Sequence, residues 1–527
     1  MLNEKYLKVS PLFVLSIAGI AGTLFATARG IGISGDSVVY LDAARNIMKG
    51  LGFVNAIGGE YTPITHYPPL FPIILSFLGR LGIDLQIAAR WLNAFLFGAT
   101  ILLVGIILRR YTCNSTYVPL LGSFLTLTSA SMLDVHTMAH SEPLFLFFTI
   151  SGLYLLAVYI ENKKMARLLA SAGAFSIAFL SRYIGGALVL TGTIVILSLS
   201  RNSHRKRIVD SVIFIAVSIF PMVFFIIRNF HVSGQATSRS LAFHPITLNH
   251  LHAMMITFSS WLLPGSDRFT ILPAQDVITA VVLIALIIGM VVLTKYLFKK
   301  TKKNECSHLE SNPATLTRLF IIYIIIYIAS IILSASLFDR IIPFDNRIFA
   351  PLFIPGLIIV LFLLHRLFLS SVRQRIKSTF LILSVVFACF YLASGVVWII
   401  YSHNNGRGLI GRSYQYHQIL AELNTLPIKT VIYSDKSRYI YFMTGRPSYS
   451  IPDTNNTQAL AEMICRLKNK GGAIAYFNVK YWYPSRPTGI TSGSNVLSED
   501  DLHKILPLRL LAKERHASVY QVRSKLD

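Results

Sequence analysis

The chain has 527 residues, of which 54% are hydrophobic and only 14% charged; soluble proteins carry about a quarter charged residues, so a soluble globular enzyme is excluded. The formal net charge is +25, yet the Lys and Arg residues sit in short segments between long apolar runs. That is the pattern of cytoplasmic loops that set orientation and meet anionic lipid, not of a nucleic-acid surface. The expected fold class is a polytopic α-helical membrane protein, with the lipid bilayer as a partner and no nucleic acid.

The first apolar run, residues 11–28, follows Lys5 and Lys8 and lacks a small-residue cleavage pattern after it, so it reads as a retained helix and not a signal peptide. A mixed stretch at about 29–87 is expected to be the first exoplasmic loop. Within it, residues 69–81 are apolar but too short to span easily, which suits a re-entrant or interfacial segment. Spans are then expected at about 88–108, 117–133, 143–160, 167–180, 184–199 and 209–227. Arg109-Arg110, Lys163-Lys164, Arg201 and Arg205-Lys206-Arg207 mark inside ends, and Ser181-Arg182 and Arg228-Asn229 outside turns.

A second large exoplasmic loop is expected at about 230–275, polar and amphipathic. Spans at about 277–297, 320–337, 348–364 and 380–401 bring the total to about 11, with Lys299 to Lys303 and Arg366 to Lys377 inside. Lys5 and Lys8 place the N-terminus in the cytoplasm, and the odd count then places residues 402–527 outside, so the expected domains are a membrane module (1–401) and an exoplasmic soluble domain (402–527). The tail carries the β-like runs Thr430-Val431-Ile432-Tyr433-Ser434, Ala473-Ile474-Ala475-Tyr476-Phe477 and Ser518-Val519-Tyr520-Gln521-Val522, with a helical pattern at 457–468. Strand–helix–strand alternation predicts a small α/β domain. Cys113, Cys306, Cys389 and Cys465 show neither disulfide nor metal-type spacing, and no disulfide is expected within the tail.

The stretch Gly35-Asp36-Ser37-Val38-Val39-Tyr40-Leu41-Asp42-Ala43-Ala44 opens the first loop. A helix is expected from Asp36 to Lys49, stopped by Gly50 and Gly52. On a 3.6 period Asp42, Arg45, Asn46 and Lys49 share one stripe, expected to face water, and Tyr40, Ala43, Ala44 and Ile47 share another with Asp36 at its head. Asp36 therefore points along the less polar face. It fits either a helix cap or a functional carboxylate at the membrane edge. Downstream, Thr65-His66-Tyr67-Pro68-Pro69-Leu70 forbids a helix before Pro69 and can start one there. His66 fits either a loop hydrogen-bonding residue or a base. Asp134, His136 and His140 lack good helical chelate spacing.

The order of these features resembles the integral-membrane glycosyltransferases of the GT-C superfamily, in the branch related to protein O-mannosyltransferases and lipid A aminoarabinose transferases (family 39-like). The residues that carry the resemblance are Asp36, Tyr40 and Ala43-Ala44, then Tyr67-Pro68-Pro69-Leu70, Ser141-Glu142-Pro143, Ser181-Arg182-Tyr183, Arg228-Asn229 and Asn346-Arg347-Ile348-Phe349-Ala350-Pro351. In the tail, Tyr433-Ser434 and Thr444-Gly445-Arg446-Pro447 match more loosely. The aminoarabinose branch often has Lys before Pro-Pro, where this chain has Tyr67.

The resemblance implies an inverting transfer from a polyprenyl-phosphate-linked sugar to an acceptor hydroxyl on a glycan, lipid or protein at the exoplasmic face. A carboxylate takes the hydroxyl proton, and Asp36 is the candidate. Guanidinium groups suit the phosphate leaving group, and Arg182, Arg228 and Arg347 are the candidates. Tyr40, His66, Tyr67 and Glu142 complete the expected substrate-binding set. Arg182 and Arg228 equally fit snorkelling boundary residues, Arg347 a partner of Asp339 or Asp345, and Glu142 a span-entry residue. No cofactor is called for, and a divalent cation is left open because related branches differ. The competing readings are a secondary transporter and a non-catalytic envelope assembly protein.

Overall fold

The structure is a computed structural model; it describes residues 10–112, 115–239, 241–262, 281, 312–338, 342–370, 374–477 and 497–522. Lys5, Lys8, Cys113, Cys306, Asp339, Arg373, the expected span at 277–297 apart from residue 281, and the basic run at 299–303 lie outside the described residues.

In chain order the elements are helices α1 (Ser10–Ala26) and α2 (Gly35–Met48), strands β1 (Val54–Asn55) and β2 (Thr62–Pro63), then α3 (Leu70–Arg80), α4 (Leu85–Tyr111), α5 (Tyr117–Thr128), α6 (Ala130–His136), α7 (Glu142–Asn162), α8 (Met165–Ser181), α9 (Gly186–Leu199), α10 (His204–Ser233), α11 (Leu248–Leu262), α12 (Pro313–Leu337), α13 (Asn346–Ser370) and α14 (Gln374–Asn405). The tail adds α15 (His417–Thr425), β3 (Ile432–Ser434), α16 (Ser437–Thr444), β4 (Tyr449–Ser450), α17 (Thr457–Lys470), β5 (Gly472–Tyr476), α18 (Glu499–Ile505), β6 (Leu508–Glu514) and β7 (Ala517–Val522).

Among the described residues six helices (α4, α7, α10, α12, α13 and α14) are long and apolar enough to cross a membrane, or up to seven spans if the bent pair α5–α6 is one. Helices α1, α3, α8 and α9 are apolar but shorter. Two expectations are corrected. The span at 117–133 is broken by 58° at Ser129, which leaves the helical region and accepts from the Met132 N–H to cap α6. The stretch at 230–275 is not all loop, since it contains the 15-residue helix α11.

The chain divides into two compact units. The first comprises Met1–Ile31, Thr65–Phe71 and Gln86–Gly406. It is a helical body in which α8 packs on α7 and α10, and α9 on α10 and α12. Hydroxyls tie neighbouring helices to backbone: Ser171 donates to the Gly152 carbonyl at 2.8 Å and Ser123 to that of Ile101 at 3.0 Å. Such bonds serve where lipid offers no alternative partner.

The second unit comprises Gly32–Ile64, Pro72–Leu85 and Arg407–Asp527. Its sheet has the order β4-β3-β5-β7-β6, with β3 parallel to β4 and β5, and β7 antiparallel to β5 and β6. Tyr433, Met463, Leu467, Ile474, Leu502 and Val522 form its core under α17 and α18. Crossover helices between parallel strands account for the strand–helix alternation legible in the tail. The first-loop helix α2 belongs to this same unit and ends as expected, with Gly50 at φ +78° where other residues are strained.

Candidate active site

Each unit carries its own cluster of the residues singled out by sequence. In the second unit, Ser34 caps α2: its hydroxyl accepts from the Ser37 N–H while the Ser37 hydroxyl accepts from the Ser34 N–H. Asp36 is therefore not the cap. It sits in the first turn, where the helix dipole favours a carboxylate. Its side chain is 23% exposed, with Oδ1 3.6 Å from Arg438 Nη1. Tyr40, Ala43 and Ala44 are buried, as the less polar stripe requires.

The stripe expected to face water does so only in part. Arg45 and Lys49 are exposed, but Asp42 and Asn46 are each only 2% exposed. Asp42 accepts from the Ala56 N–H at 2.7 Å, Asn46 Nδ2 at 3.2 Å and the Tyr441 hydroxyl at 2.6 Å. Asn46 also donates to the Val54 carbonyl at 3.0 Å. The β1–β2 hairpin and α16 cover this face of α2, and Asp42 is the acceptor-only group that their donors require. Burial, and then the Asp42 hydrogen bond, hold the Tyr441 phenol well above its ordinary range.

In the first unit, Glu142 begins α7 and is 1% exposed. Its Oε1 is paired with both Arg182 and Arg347. A carboxylate so buried must be paired, and two guanidiniums leave the trio with one net positive charge. Arg182 is held by the break between α8 and α9, where it takes the extended conformation at φ −152°, ψ 134°. Arg347 lies in the first turn of α13, and its N–H donates to Asp345 Oδ1 at 3.1 Å. Asn346 beside it donates to the Ser131 carbonyl at 2.9 Å and accepts from Trp261 Nε1 at 3.2 Å.

The Tyr183 hydroxyl donates to the Thr65 carbonyl at 2.7 Å, joining the turn after Arg182 to the His66-Tyr67 loop. Tyr183 also lies against Asn229 and within reach of the Arg228 and Arg239 charges. His66 Nδ1 is 3.4 Å from the Ser238 hydroxyl, and the His66 and Tyr67 rings meet edge to face at 4.7 Å. Arg228 donates to Asn229 Oδ1 at 3.0 Å, and the buried Asn229 donates to the Ala236 carbonyl at 2.8 Å. His66, Tyr67, Glu142, Arg182, Arg228 and Arg347 thus belong to the first unit, and Asp36 and Tyr40 to the second.

Among the described residues no group of three or more His, Cys, Asp or Glu side chains is gathered to hold a metal ion. Glu142 is a poor cation ligand, because two guanidiniums already claim it. His136 is fully buried, with Nδ1 2.7 Å from the Met132 carbonyl. Sequence reasoning missed Arg438 and Tyr441, whose partners lie about 400 residues earlier in the chain and leave no local signal.

Residues 66–227 match the family described as dolichyl-phosphate-mannose-protein mannosyltransferase. No curated protein matches the chain. Among solved structures, ArnT from Cupriavidus metallidurans bound to undecaprenyl phosphate is similar at 12% identity and TM-score 0.58, over 96% of this chain and 97% of that one. The oligosaccharyltransferase AglB from Archaeoglobus fulgidus, in complex with an inhibitory peptide and a dolichol-phosphate, is similar at 12% identity and TM-score 0.55, over 90% of this chain and 69% of that one. The arabinofuranosyltransferase AftD from Mycobacteria gives 12% identity and TM-score 0.53, over 97% of this chain and 40% of that one. The chain is therefore a polytopic membrane protein with the GT-C glycosyltransferase fold and a C-terminal sheet region, and it carries the mannosyltransferase-family pattern at residues 66–227.

Proposed function

We propose that the chain is a membrane glycosyltransferase that moves a sugar from a polyprenyl-phosphate-linked donor to an acceptor hydroxyl at the exoplasmic face, with inversion. The observation that carries this reading is the coincidence of a GT-C fold with the mannosyltransferase-family pattern at residues 66–227. ArnT bound to undecaprenyl phosphate and AglB with dolichol-phosphate support a lipid-phosphate donor. The first loop and the tail share one compact unit, which supports one side of the membrane for both. The basic loops at Arg109-Arg110 and Arg205-Lys206-Arg207 favour the opposite side as cytoplasmic.

In this mechanism the acceptor oxygen attacks the anomeric carbon as the bond from that carbon to the phosphate oxygen breaks. The hydroxyl proton goes to Asp36, and the electron pair of the broken bond leaves on the polyprenyl phosphate. A single displacement inverts the anomeric carbon and needs no covalent nucleophile. Arg182 and Arg347 are assigned to the phosphate, with Glu142 fixing their guanidinium planes. Arg228, Tyr40, His66 and Tyr67 are assigned to substrate binding. The acceptor is a glycan, lipid or protein hydroxyl.

The test uses purified full-length protein in proteoliposomes with mannosyl-, aminoarabinosyl- and arabinofuranosyl-phosphoryl-undecaprenol. One of these donors is expected to release undecaprenyl phosphate as its sugar appears on an acceptor with the opposite anomeric configuration. Sugar uptake into the vesicles without bond cleavage would instead establish a transporter.

A further inference from the structure

Helices α2 and α16 meet within the second unit through two side-chain pairs. Arg438 faces Asp36 at 3.6 Å, and Tyr441, one turn later on α16, donates to Asp42 at 2.6 Å. Backbone bonds fasten the same segments: the Leu409 N–H donates to the Ile33 carbonyl at 2.7 Å and the Ser448 N–H to that of Ile57 at 2.9 Å. Gly35 keeps the approach open, since a Cβ there would lie 3.2 Å from Arg438 Nη1 and 3.3 Å from its Cδ.

The two pairs differ in kind. Asp42 is buried and saturated with donors, which suits an anchor. The Asp36–Arg438 pair is partly in water, at 23% and 46% side-chain exposure. Such a pair adds little to stability. It does fix the direction of the carboxylate.

We propose that Arg438 is a positioning residue for the Asp36 carboxylate, so that the C-terminal domain supplies part of the catalytic apparatus of the first loop. Tyr441 and Asp42 set the register that brings Arg438 to Asp36. This rests on the reading of Asp36 as the base, and the experiment separates the two.

The full-length protein in nanodiscs is labelled at carboxyl groups with a water-soluble carbodiimide and glycine ethyl ester at pH 6, and the Asp36 peptide is followed by mass spectrometry. The carbodiimide must reach a carboxyl oxygen, so releasing that oxygen from the Arg438 contact in Arg438→Gln is expected to speed labelling of Asp36 several-fold. Arg438→Lys and the exposed-site control Arg45→Gln should stay within twofold of the parent, with unchanged melting temperatures. In transfer from the lipid-linked sugar that the parent uses, Arg438→Gln is expected to lower kcat about tenfold or more at unchanged donor KM, with Arg438→Lys restoring most of it.

Labelling of Arg438→Gln at the parent rate overturns the inference, as does a loss expressed in KM alone. Full transfer by Asp36→Asn overturns the reading of Asp36 as the base instead. The labelling needs no turnover, so it decides the Arg438 contact either way.

Discussion

Replacing Asp42 tests whether the second face of α2 is an interior surface. The carboxylate receives three donors, from Ala56, Asn46 and Tyr441, at 2.6–3.2 Å. In Asp42→Leu all three lose their acceptor while the site stays covered. Hydrogen bonds to a charged group contribute about 1.5–3 kcal/mol each and are not additive, so the expected loss is about 3–5 kcal/mol. Asp42→Asn is milder, because the amide oxygen keeps the side facing Ala56 and the Tyr441 oxygen can accept from the amide nitrogen. Losing charge assistance alone costs about 1–2 kcal/mol. An aspartate on a solvent stripe would change stability by less than about 0.5 kcal/mol in either variant. Hydrogen exchange of the full-length protein in nanodiscs reads the difference locally. Amides of residues 54–57 and 437–444 should exchange about 100-fold or more faster in Asp42→Leu, and about tenfold faster in Asp42→Asn. Unchanged protection in Asp42→Leu would refute the buried assignment.

Glu142→Gln leaves two guanidiniums in contact without their carboxylate, and because both arginines are partly exposed the expected loss is about 2–4 kcal/mol, read as a fall of several degrees in melting temperature. Adding Arg347→Gln to that variant should recover part of the loss, the opposite of additive damage. In the tail, burial pushes the Asp435 carboxyl up to about 6 from its ordinary 3.8, and its Oδ2 has no hydrogen-bond partner among the described residues. The folded state therefore holds this proton more tightly than the unfolded state, so stability falls as pH rises from about 4 to about 6 and is flat above. Asp435→Asn should abolish that slope and stabilise the protein at pH 7 by on the order of 2 kcal/mol, measured by urea unfolding across pH.

Much of this arrangement is legible in the sequence because it is local. The stop of α2 at Gly50, the start of α3 after Pro68-Pro69, the turn at Ser181-Arg182 and the strands around Tyr433, Ile474 and Val519 each follow from residues within a few positions. Helical phase also located Tyr40, Ala43 and Ala44 on a buried face. The same phase misjudged Asp42. Phase gives the angle of a side chain around the helix axis, not what covers that angle. Here the cover is a hairpin from the same loop and a tyrosine 399 positions away. Glu142 meeting Arg347 across 205 positions is equally invisible to spacing, although a carboxylate at a span entry requires some cation. The break at Ser129 shows the limit of hydropathy, which measures how apolar a segment is and not whether it is straight.

The account centres on Asp36 as the group that takes the acceptor proton. Its most direct test is the transfer rate of Asp36→Asn against the parent protein, in the same vesicles with the same lipid-linked donor and at matched expression. The amide keeps the shape and the cap of α2 but cannot accept the proton, so transfer should fall about 10³-fold while donor binding persists. Transfer by Asp36→Asn at the parent rate would contradict the account.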